Sequence, residues 1–595
     1  MKLLRNLWPW LSPYRRALLT GALWIILTNM LLLSIPQMLR CGISAIEQQR
    51  WDDVTFYAAL MVVLTLLGGG IRVLSRLHFL HTGRRVEVDL RQAMFERLLY
   101  QPAPFFNDHR IGDLISRFTN DLINVRMVAG FGIVSLVNAA VIYLFAIVLM
   151  LWMSPALTLA ALLPFPLMLL AVKRISRHLL HYSAQVQVRL GEISDVVEET
   201  LRGQSTLRSG GFQPMRCVQF DEINEKYLAS SVALAQMRAL IMPVMSVITP
   251  CAILMVLYFG GRQVIAGTLQ LGDLVAFNAY LVHLTMPTLL LGWILTLIQR
   301  ATVGMERIDL LLSLTKPKPL LSDVTVSAAA EVVPQIELRD LSFRYFSLLA
   351  SQPVLHHLSL HIAAGSMLGI TGPVASGKST LLHLLTGRYP LGAGQVWING
   401  EDLSTLSPQR YSQCLSTVLQ EGQLFSGSLA DNFRFAAPQL SDDDLTILAQ
   451  KVMLLDEIDH FSGGFATLIG EGGLTLSGGQ RQRVGVARAL ARNRGLWLLD
   501  DPFSHLDSQT ARQVWQHLRQ ALHGRTVIFV SSRVSILQGA DQIVVLDNGR
   551  MREHGSHRQL IEQDGEYALM VKREQLHRAM EDMGAMEVVE KGAQL

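Results

Sequence analysis

The first half of the chain contains long apolar stretches, and six of them are long enough to cross a membrane as helices. A helix needs about 20 apolar residues to span the hydrocarbon core of a bilayer. Stretches of about that length lie at roughly 17–39, 55–80, 127–151, 155–173, 239–261 and 272–298. The pattern therefore predicts an α-helical domain that crosses the lipid bilayer six times.

Lysine and arginine are unevenly distributed among the connections between these segments. They are frequent before the first segment, in 84–126 and in 173–238, whereas the connection "MSP" has none. Because positively charged connections stay on the cytoplasmic side, both termini and the two long connections are predicted to be cytoplasmic. Helical periodicity in the long connections predicts that segments 2 to 5 continue as helices beyond the membrane.

The pattern changes near residue 334, where short apolar strands alternate with helices. Stretches such as "IELRDLSFRY", "SMLGIT", "GLWLLD" and "TVIFVSS" are separated by Gly, Pro and Asn, which is typical of an α/β domain. We expect a transmembrane domain over 1–315, a linker over 316–333, an α/β domain over 334–575 and a C-terminal tail over 576–595.

The composition agrees with a membrane protein and argues against two other classes. Hydrophobic residues make up 50% of the 595 residues and charged residues 17%, below the roughly 25% of ordinary globular proteins. A net charge of +4 is too small to indicate a nucleic-acid partner. The four cysteines lie far apart without a CxxC pair, so the sequence predicts neither a zinc site nor a disulfide framework.

The stretch "GPVASGKST" (372–380) lies between the apolar strand "MLGIT" and the helix "TLLHLLTG". It fits the phosphate-binding pattern GxxxxGK[ST] in the structural context that this pattern requires. The glycines let backbone N–H groups wrap the phosphates, the lysine reaches the β- and γ-phosphates, and the serine hydroxyl binds Mg²⁺. The predicted ligand is ATP or GTP with Mg²⁺. The residues expected to hold it are Gly372, Gly377, Lys378, Ser379 and Thr380.

A second motif, "LTLSGGQRQRVGVARAL" (474–490), begins a basic helix with Ser477, Gly478 and Gly479. Alone, these residues allow either a plain helix cap or an anion site built from a hydroxyl and backbone N–H groups. After a P-loop and before "LWLLDD", the motif resembles the signature sequence of ABC ATPases. The chain as a whole resembles an ABC half-transporter: a six-span, exporter-type transmembrane domain fused to an α/β P-loop nucleotide-binding domain. The resemblance implies that the signature, continued by Gln480, closes over ATP held by the P-loop of a second chain.

The resemblance also implies roles for single residues. Tyr345 matches the aromatic residue that stacks on adenine, although a strand tyrosine can also belong to the core. Gln420 matches a glutamine that touches Mg²⁺, and Asp500, at the end of a buried strand, matches the aspartate that holds Mg²⁺ through water. Asp507 in "SHLD" matches the loop across which two nucleotide-binding domains communicate. Glu471 in "TLIGEGG" matches an acid that contacts the partner's connections.

Two residues depart from the family pattern. The family's general base is a glutamate directly after the magnesium aspartate, whereas this chain has the shorter Asp501. The carboxylate is thereby displaced by about 1–1.5 Å, and a misplacement of about 1 Å can cost on the order of 10²-fold in rate. Ser532 stands where the family has a histidine that reaches the γ-phosphate, and a serine is too short for that contact. Both departures predict that this chain's P-loop binds ATP but hydrolyses it slowly.

The intact signature together with the weak catalytic residues predicts a heterodimer. A homodimer would pair two good signatures with two poor catalytic centres. We expect instead a second, non-identical ABC half-transporter that supplies a glutamate and a histidine and carries an altered signature. This asymmetry resembles that of heterodimeric bacterial multidrug exporters.

The membrane half contains two predicted coupling elements, "FFNDHRIGDLISRFTNDL" (105–122) and "SGGFQPMRC" (209–217). By resemblance, the first presents a short helix to a groove on the ATPase near Gln420; the alternative is an ordinary solvated helical hairpin. Four polar residues of the membrane segments are candidates either for lining a cavity or for hydrogen bonds between helices. They are Asn29, Asn138, Asn278 and His283.

The sequence thus predicts one subunit of a heterodimeric, ATP-driven exporter in a bacterial inner membrane. The expected cargo, by resemblance alone, is an amphipathic or hydrophobic compound such as a drug or a lipid. Two alternatives stay open: an importer of an iron chelate with the same fold, and a regulatory membrane ATPase that transports nothing.

Overall fold

The computed structural model describes residues 2–314, 332–345, 352–420, 422–470, 476–576 and 579–580. Most of the predicted linker, Glu471 and most of the predicted tail lie outside these residues. Contacts divide the chain into two compact units. The first comprises Met1–Tyr100 and His109–Lys318, and the second comprises Gln101–Asp108 and Pro319–Leu595.

The first unit is helical throughout the residues that are described. Its long helices are Arg15–Glu47, Trp51–Leu99, Ile133–Met153, Pro164–Arg202, Gln213–Ile265 and Leu271–Leu312. The shorter helices are Lys2–Leu11, Ile111–Ser116, Leu122–Met127, Pro155–Leu162 and Gln204–Gly210, with a 3₁₀ turn at Ser12–Tyr14 and π-helical turns at Arg117–Asp121 and Val128–Gly132.

Four helical stretches in the described part of the chain are long and apolar enough to cross a membrane. They are Leu3–Glu47, Trp51–Leu99, Ile111–Met153 and Leu271–Leu312. The predicted fourth and fifth segments fall on the helices Pro155–Leu162, Pro164–Arg202 and Gln213–Ile265, which include residues whose side chains are outside the described set. The last of these helices ends in the apolar stretch Pro250–Ile265.

Two of these helices approach each other at a pair of glycines. A Cβ on Gly83 would lie 3.0 Å from the Cα and N atoms of Gly130 and 3.1 Å from the carbonyl oxygen of Arg126. Gly130 belongs to the π-helical turn Val128–Gly132, which interrupts the regular helix at the crossing point. Because the neighbouring atoms are backbone, they cannot rotate away, and the close packing depends on the missing side chains.

The structure distinguishes among the four polar candidates in the membrane segments. The side-chain amide of Asn29 donates to the side-chain oxygen of Asn138 at 3.0 Å, so this pair forms a hydrogen bond between helices. Asn278 has a buried Oδ1 atom without a hydrogen-bond partner among the described residues. The side chain of His283 is exposed. Asn278 and His283 therefore remain candidates for lining a cavity.

The second unit is an α/β domain with twelve strands in its described residues. The strands are β1 (Ile336–Phe343), β2 (Leu355–Ile362), β3 (Met367–Thr371), β4 (Val396–Ile398), β5 (Glu401–Asp402), β6 (Leu415–Val418), β7 (Gly427–Ser428), β8 (Leu468–Ile469), β9 (Leu496–Asp500), β10 (Thr526–Val530), β11 (Gln542–Asp547) and β12 (Arg550–Gly555). The helices are Ala103–Asp108, Lys378–Leu385, Pro408–Cys414, Leu429–Arg434, Asp442–Lys451, Leu455–Asp459, Gly478–Arg492, Ser508–Leu522, Val534–Leu537, His557–Glu562 and 566–576, with a 3₁₀ turn at Gly464–Ala466.

The strands form three sheets. The central sheet has the order β12-β11-β3-β10-β9-β6, in which only β12 pairs antiparallel. An antiparallel sheet has the order β2-β1-β4-β5, and β7 pairs with β8. Every residue of β9 and β10 is buried, which explains the apolar runs 496–499 and 527–530 within them. The loops that follow β3, β10, β9 and β6 leave the same edge of the sheet because these strands are parallel.

The glycine crossing gives a test of the first unit. We expect Gly83→Ala to destabilise the chain by about 1–3 kcal/mol, because the new methyl group meets fixed backbone atoms. Gly70→Ala is the matched control on the same helix, since a Cβ there meets nothing within 4 Å. Thermal unfolding of the full-length chain in detergent measures both variants. Equal melting temperatures for the two would contradict the close crossing.

Candidate functional site

The P-loop lies between β3 and the helix Lys378–Leu385. Gly372 adopts φ +145°, and a Cβ there would lie 2.0 Å from the carbonyl oxygen of Leu546. A side chain at this position is therefore excluded, and the loop can turn tightly after the strand. Gly377, with φ +98°, directly precedes the helix and leads the chain into its first turn.

Lys378 points its ammonium group into the loop. The Nζ atom donates hydrogen bonds to the carbonyl oxygens of Gly372 at 2.8 Å and Pro373 at 2.6 Å, and to the hydroxyl of Ser376 at 3.2 Å. Burial lowers the pKa of Lys378, while the nearby Asp501 and Asp500 oppose this shift. The loop thus directs a cation toward the concave surface where phosphate oxygens would bind.

Asp500 and Asp501 follow one another at the carboxyl end of β9. The hydroxyl of Ser379 donates to Oδ1 of Asp500 at 3.1 Å, which joins the P-loop helix to this strand. Asp501 has φ +41°, and its backbone N–H donates to the carbonyl oxygen of Val530 at 2.9 Å. The left-handed backbone conformation of Asp501 thus ends the strand directly after Asp500.

Ser532 contacts Asp501 directly. Val530, the last residue of β10, pairs with Asp500, so the chain after β10 runs beside the chain after β9. The hydroxyl of Ser532 donates to Oδ2 of Asp501 at 3.3 Å. The two positions that depart from the family pattern therefore belong to one hydrogen-bonded pair, a contact that the separate positions in the sequence did not indicate.

Both aspartates hold their protons more tightly than an exposed aspartate. Burial raises the pKa of Asp501, against smaller opposing effects of Ser532, Arg533 and Lys378. Burial likewise raises the pKa of Asp500, against the hydrogen bond from Ser379. Two neighbouring carboxylates in a half-buried cleft favour a bound cation that would compensate their charge.

A cleft of about 550 Å³ brings Gln420 to the same place. Gln420 follows β6, and the cleft is also lined by Ser379 and Asp500. Hydroxyl, amide and carboxylate oxygens together with water and phosphate oxygens form the kind of ligand set that Mg²⁺ prefers. The donor set therefore fits the metal expected with a nucleotide. Arg388 and Arg488 also line this cleft and add positive charge.

Tyr345 lies beside the P-loop helix. Its hydroxyl and that of Thr380 are hydrogen-bonded at 2.9 Å. Its ring packs edge-to-face against Phe343 and Tyr389, with centroid distances of 5.1 Å in both cases. The structure thus places Tyr345 within reach of the nucleotide loop and, at the same time, within an aromatic cluster.

Ser477 is the N-cap of the helix Gly478–Arg492. Its hydroxyl accepts from the backbone N–H of Gln480 at 3.2 Å, and its own N–H donates to Oε1 of Gln480 at 2.8 Å. The Gln480 amide also donates to Glu457 at 2.6 Å. The helix-cap interpretation is therefore correct, and the exposed serine at this helix N-terminus also suits an anion. The sequence motifs did not single out Glu457.

Asp507 caps another helix and shares a second cleft with the signature. Its Oδ1 atom accepts from the N–H groups of Gln509 at 3.0 Å and Thr510 at 2.9 Å. These backbone N–H donors lower the pKa of Asp507. A cleft of about 410 Å³ is lined by Ser477, Gly478, Gly479, Asp507 and five neighbours. It shares no lining residue with the P-loop cleft, so the two clefts are separate.

The helix Ala103–Asp108, which overlaps the start of the first predicted coupling element (105–122), belongs to the α/β unit by its contacts. The backbone N–H of Ala103 donates to the carbonyl oxygen of Arg388 at 3.2 Å. The amide of Asn107 donates to the hydroxyl of Tyr389 at 3.4 Å. The docking point is thus Gly387–Tyr389, and Arg388 also lines the cleft that contains Gln420. The resemblance had predicted a groove near Gln420, but no motif had singled out Gly387–Tyr389.

Comparison with known proteins identifies both units. Residues 18–288 match the family model of the ABC transporter transmembrane region, and residues 355–504 match that of the ABC transporter. The multidrug resistance-like ATP-binding protein MdlA of Escherichia coli (strain K12) is 30% identical over 582 residues, which cover 97% of each chain. An ATP-dependent lipid A-core flippase of Photobacterium profundum is 28% identical over 579 residues, or 96% of this chain and 97% of the flippase.

A solved structure shares the fold over almost the whole chain. It is a bacterial Atm1-family ABC exporter with ATP bound, and it matches with a TM-score of 0.77 over 94% of this chain and 99% of the exporter chain. The sequence identity is 24%, so this likeness concerns the fold alone.

The opposite pKa shifts of two aspartates give a test of the site. Asp501 has a raised pKa, so its contribution to stability is lost as the pH rises from about 4, the ordinary value for aspartate. We expect Asp501→Asn to raise the melting temperature at a pH of about 7.5 by a few degrees, and the gain to shrink toward a pH of about 4. Thermal unfolding without nucleotide and with a metal chelator measures this.

Asp507→Asn is the matched control. Its pKa is lowered, so its charge stabilises the folded chain above the ordinary pKa and this contribution is lost on acidification. The variant should lower the melting temperature at the same pH of about 7.5, with a difference that also shrinks in acid. A loss of stability in both variants would contradict the raised pKa of Asp501.

Proposed function

Because the chain belongs to the ABC transporter family, we propose that it is one half of a heterodimeric exporter in a bacterial inner membrane, with both termini in the cytoplasm. The chain combines an exporter-type transmembrane domain with an ABC ATPase domain, which binds ATP and couples its hydrolysis to transport. In the proposed transporter, this chain's own ATP site is slow, and its signature completes the competent site of a non-identical partner.

The contact between Ser532 and Asp501 is the observation that carries this proposal. Asp501 is one methylene shorter than the family's glutamate, which moves its carboxylate back from an attacking water by about 1–1.5 Å. The hydroxyl of Ser532 also occupies one oxygen of this carboxylate, so it competes with the attacking water for Asp501. The side chain of Ser532 is hydrogen-bonded to Asp501 and is too short to take the place of a histidine at the γ-phosphate. Both effects lower the rate at this chain's own P-loop.

The two separate clefts support a second chain. The P-loop cleft contains Ser379, Gln420 and Asp500, the residues expected to hold Mg²⁺, whereas Ser477 and Asp507 line a different cleft. Ser477 is exposed at the N-terminus of a 15-residue helix and is rigidly held by the reciprocal bonds with Gln480. This geometry suits phosphate oxygens presented by another molecule, since the helix N-terminus favours negative charge.

Magnesium would be held by Ser379, Asp500 and Gln420. When bound, it would neutralise charge on the β- and γ-phosphates. Lys378 would bind the same phosphates from the P-loop, and Asp501 would orient the attacking water and accept its proton. Tyr345 would stack on the adenine.

The second coupling element supplies a surface for the partner. The helices Pro164–Arg202, Gln204–Gly210 and Gln213–Ile265 meet at this tip and enclose an apolar groove of about 530 Å³. Phe212, Met215 and Val218 are 50%, 64% and 69% exposed there. Apolar side chains outside the membrane with such exposure favour a protein contact. We propose that the partner's ATPase domain covers them.

The cargo is proposed from the relatives. One is named multidrug resistance-like, and another is named a lipid A-core flippase. For this chain we propose an amphipathic or hydrophobic compound, either a drug or a lipid. Two ATP molecules would close the ATPase domains, and the coupling helices would carry this closure to the membrane segments.

Two substitutions in the transporter purified through a tag on this chain test the asymmetry. Asp501→Asn removes the base of the slow site, so it should lower steady-state ATP turnover by less than about twofold. Ser477→Ala removes a phosphate ligand from the competent site, so it should lower turnover at least about tenfold. Equal losses would indicate equivalent sites, as in a homodimer, and would contradict the proposal.

A repair experiment tests the cause of the slow site. We expect Asp501→Glu combined with Ser532→His to speed single-turnover hydrolysis at this chain's P-loop by on the order of 10-fold or more. The control is Asp501→Asn with Ser532→His, which has the histidine but no base and should stay slow. A repaired variant as slow as the wild type would show that other residues limit this site.

A further inference from the structure

The docking point of the helix Ala103–Asp108 lies at the end of the P-loop helix itself. The helix Lys378–Leu385 begins in the P-loop, and Gly387–Tyr389 follow two residues after it ends. Eight helical residues with a rise of about 1.5 Å each span only about 12 Å. A displacement of Gly387–Tyr389 can therefore move the nucleotide loop through one short, rigid element.

Tyr389 contacts both the helix Ala103–Asp108 and the ring of Tyr345. Its hydroxyl accepts from the amide of Asn107 at 3.4 Å. Its ring packs edge-to-face on Tyr345, with centroids 5.1 Å apart and an interplanar angle of 83°. A second edge contact, to Phe343 at 5.8 Å, fixes the orientation of the Tyr389 ring.

Tyr345 extends this series of contacts to the P-loop. Its hydroxyl is hydrogen-bonded to that of Thr380 at 2.9 Å, and Thr380 directly follows Ser379. The ring of Tyr345 is also held by Phe343 at 5.1 Å. Removing the Tyr389 ring would leave one side of Tyr345 without support and would separate it from the helix Ala103–Asp108.

We propose that Tyr389 is a positioning residue of the nucleotide site, which holds Tyr345 against the adenine and links this contact to the helix Ala103–Asp108. The inference rests on the proposed stacking of Tyr345 on adenine. The ring of Tyr389 acts on nucleotide affinity, and its hydroxyl acts on the link to Asn107. The two parts of one side chain are thus separable by substitution.

Calorimetric titration of the full-length chain in detergent with ATP tests the ring. Tyr389→Ala and Tyr345→Ala should each raise the dissociation constant by about 3- to 10-fold, the range expected for an aromatic ring contact. The double variant should bind ATP no more weakly than Tyr345→Ala, because Tyr389 acts through Tyr345. Trp397→Ala is the control. Trp397 lies on β4, where its ring packs against the guanidinium of Arg339, and it lines neither cleft. This variant should leave the ATP affinity within about twofold of the wild type.

Hydrogen exchange of the peptide 101–108, with and without ATP, tests the hydroxyl. ATP should slow exchange in the wild type, and both Tyr389→Phe and Asn107→Ala should remove this effect while keeping ATP affinity. A role in packing alone would leave the ATP effect intact in Tyr389→Phe. The absence of an ATP effect in the wild type, or its persistence in both variants, would overturn the link.

The outcomes also separate this inference from the proposed role of Tyr345. If Tyr345→Ala weakens ATP binding and Tyr389→Ala does not, the adenine contact stands and the positioning role of Tyr389 is wrong. If Tyr345→Ala binds ATP like the wild type, Tyr345 does not hold the adenine, and the positioning role is overturned with it.

Discussion

Four adjacent parallel strands of the central sheet end at one edge, and their order determines which side chains can act together. In the order β3-β10-β9-β6, the loops after these strands carry the P-loop, Ser532, the pair Asp500 and Asp501, and Gln420. These residues are separated by up to about 160 positions along the chain. The buried apolar sequences of β9 and β10 fix the register that places Ser532 beside Asp501. Packing of the sheet core is thus the physical cause of the site's geometry.

The signature lies apart from this edge of the central sheet. Ser477 begins a helix that follows β8 in the chain, and its cleft shares no lining residue with the P-loop cleft. A complete ATP site therefore requires residues from two chains in the proposed mechanism. In the proposed mechanism, this requirement gives the pair formed by Ser532 and Asp501 its importance. A slow site in one chain does not prevent hydrolysis at the site that uses the partner's glutamate.

Much of the fold could be predicted from the sequence because its signals are local. Apolar stretches of membrane-spanning length and the GxxxxGKS pattern between a strand and a helix depend on neighbouring residues only. The order of strands does not, and so the hydrogen bond between Ser532 and Asp501 could not be read from two separate motifs. The docking of Ala103–Asp108 on Arg388 and Tyr389 depends on a surface that no sequence pattern describes.

The polar membrane residues show the same limit. Asn29 and Asn138 had two interpretations, and only their relative position in the folded chain shows that they bond to each other. Glu457 could not be found from the sequence because a single acid on a short helix has no motif, although it holds both Gln480 and Arg483 in the helix that carries the signature.

The most direct measurement of the central claim is the subunit composition of the transporter in its own membrane. The chain would be tagged at its native locus and extracted gently, and the co-purifying proteins would be quantified by mass spectrometry. We predict an equimolar second half-transporter with a glutamate after its magnesium aspartate, a histidine at the position equivalent to Ser532 and an altered signature. Recovery of this chain alone, as an active ATPase, would contradict the claim, because Asp501 would then be a sufficient base.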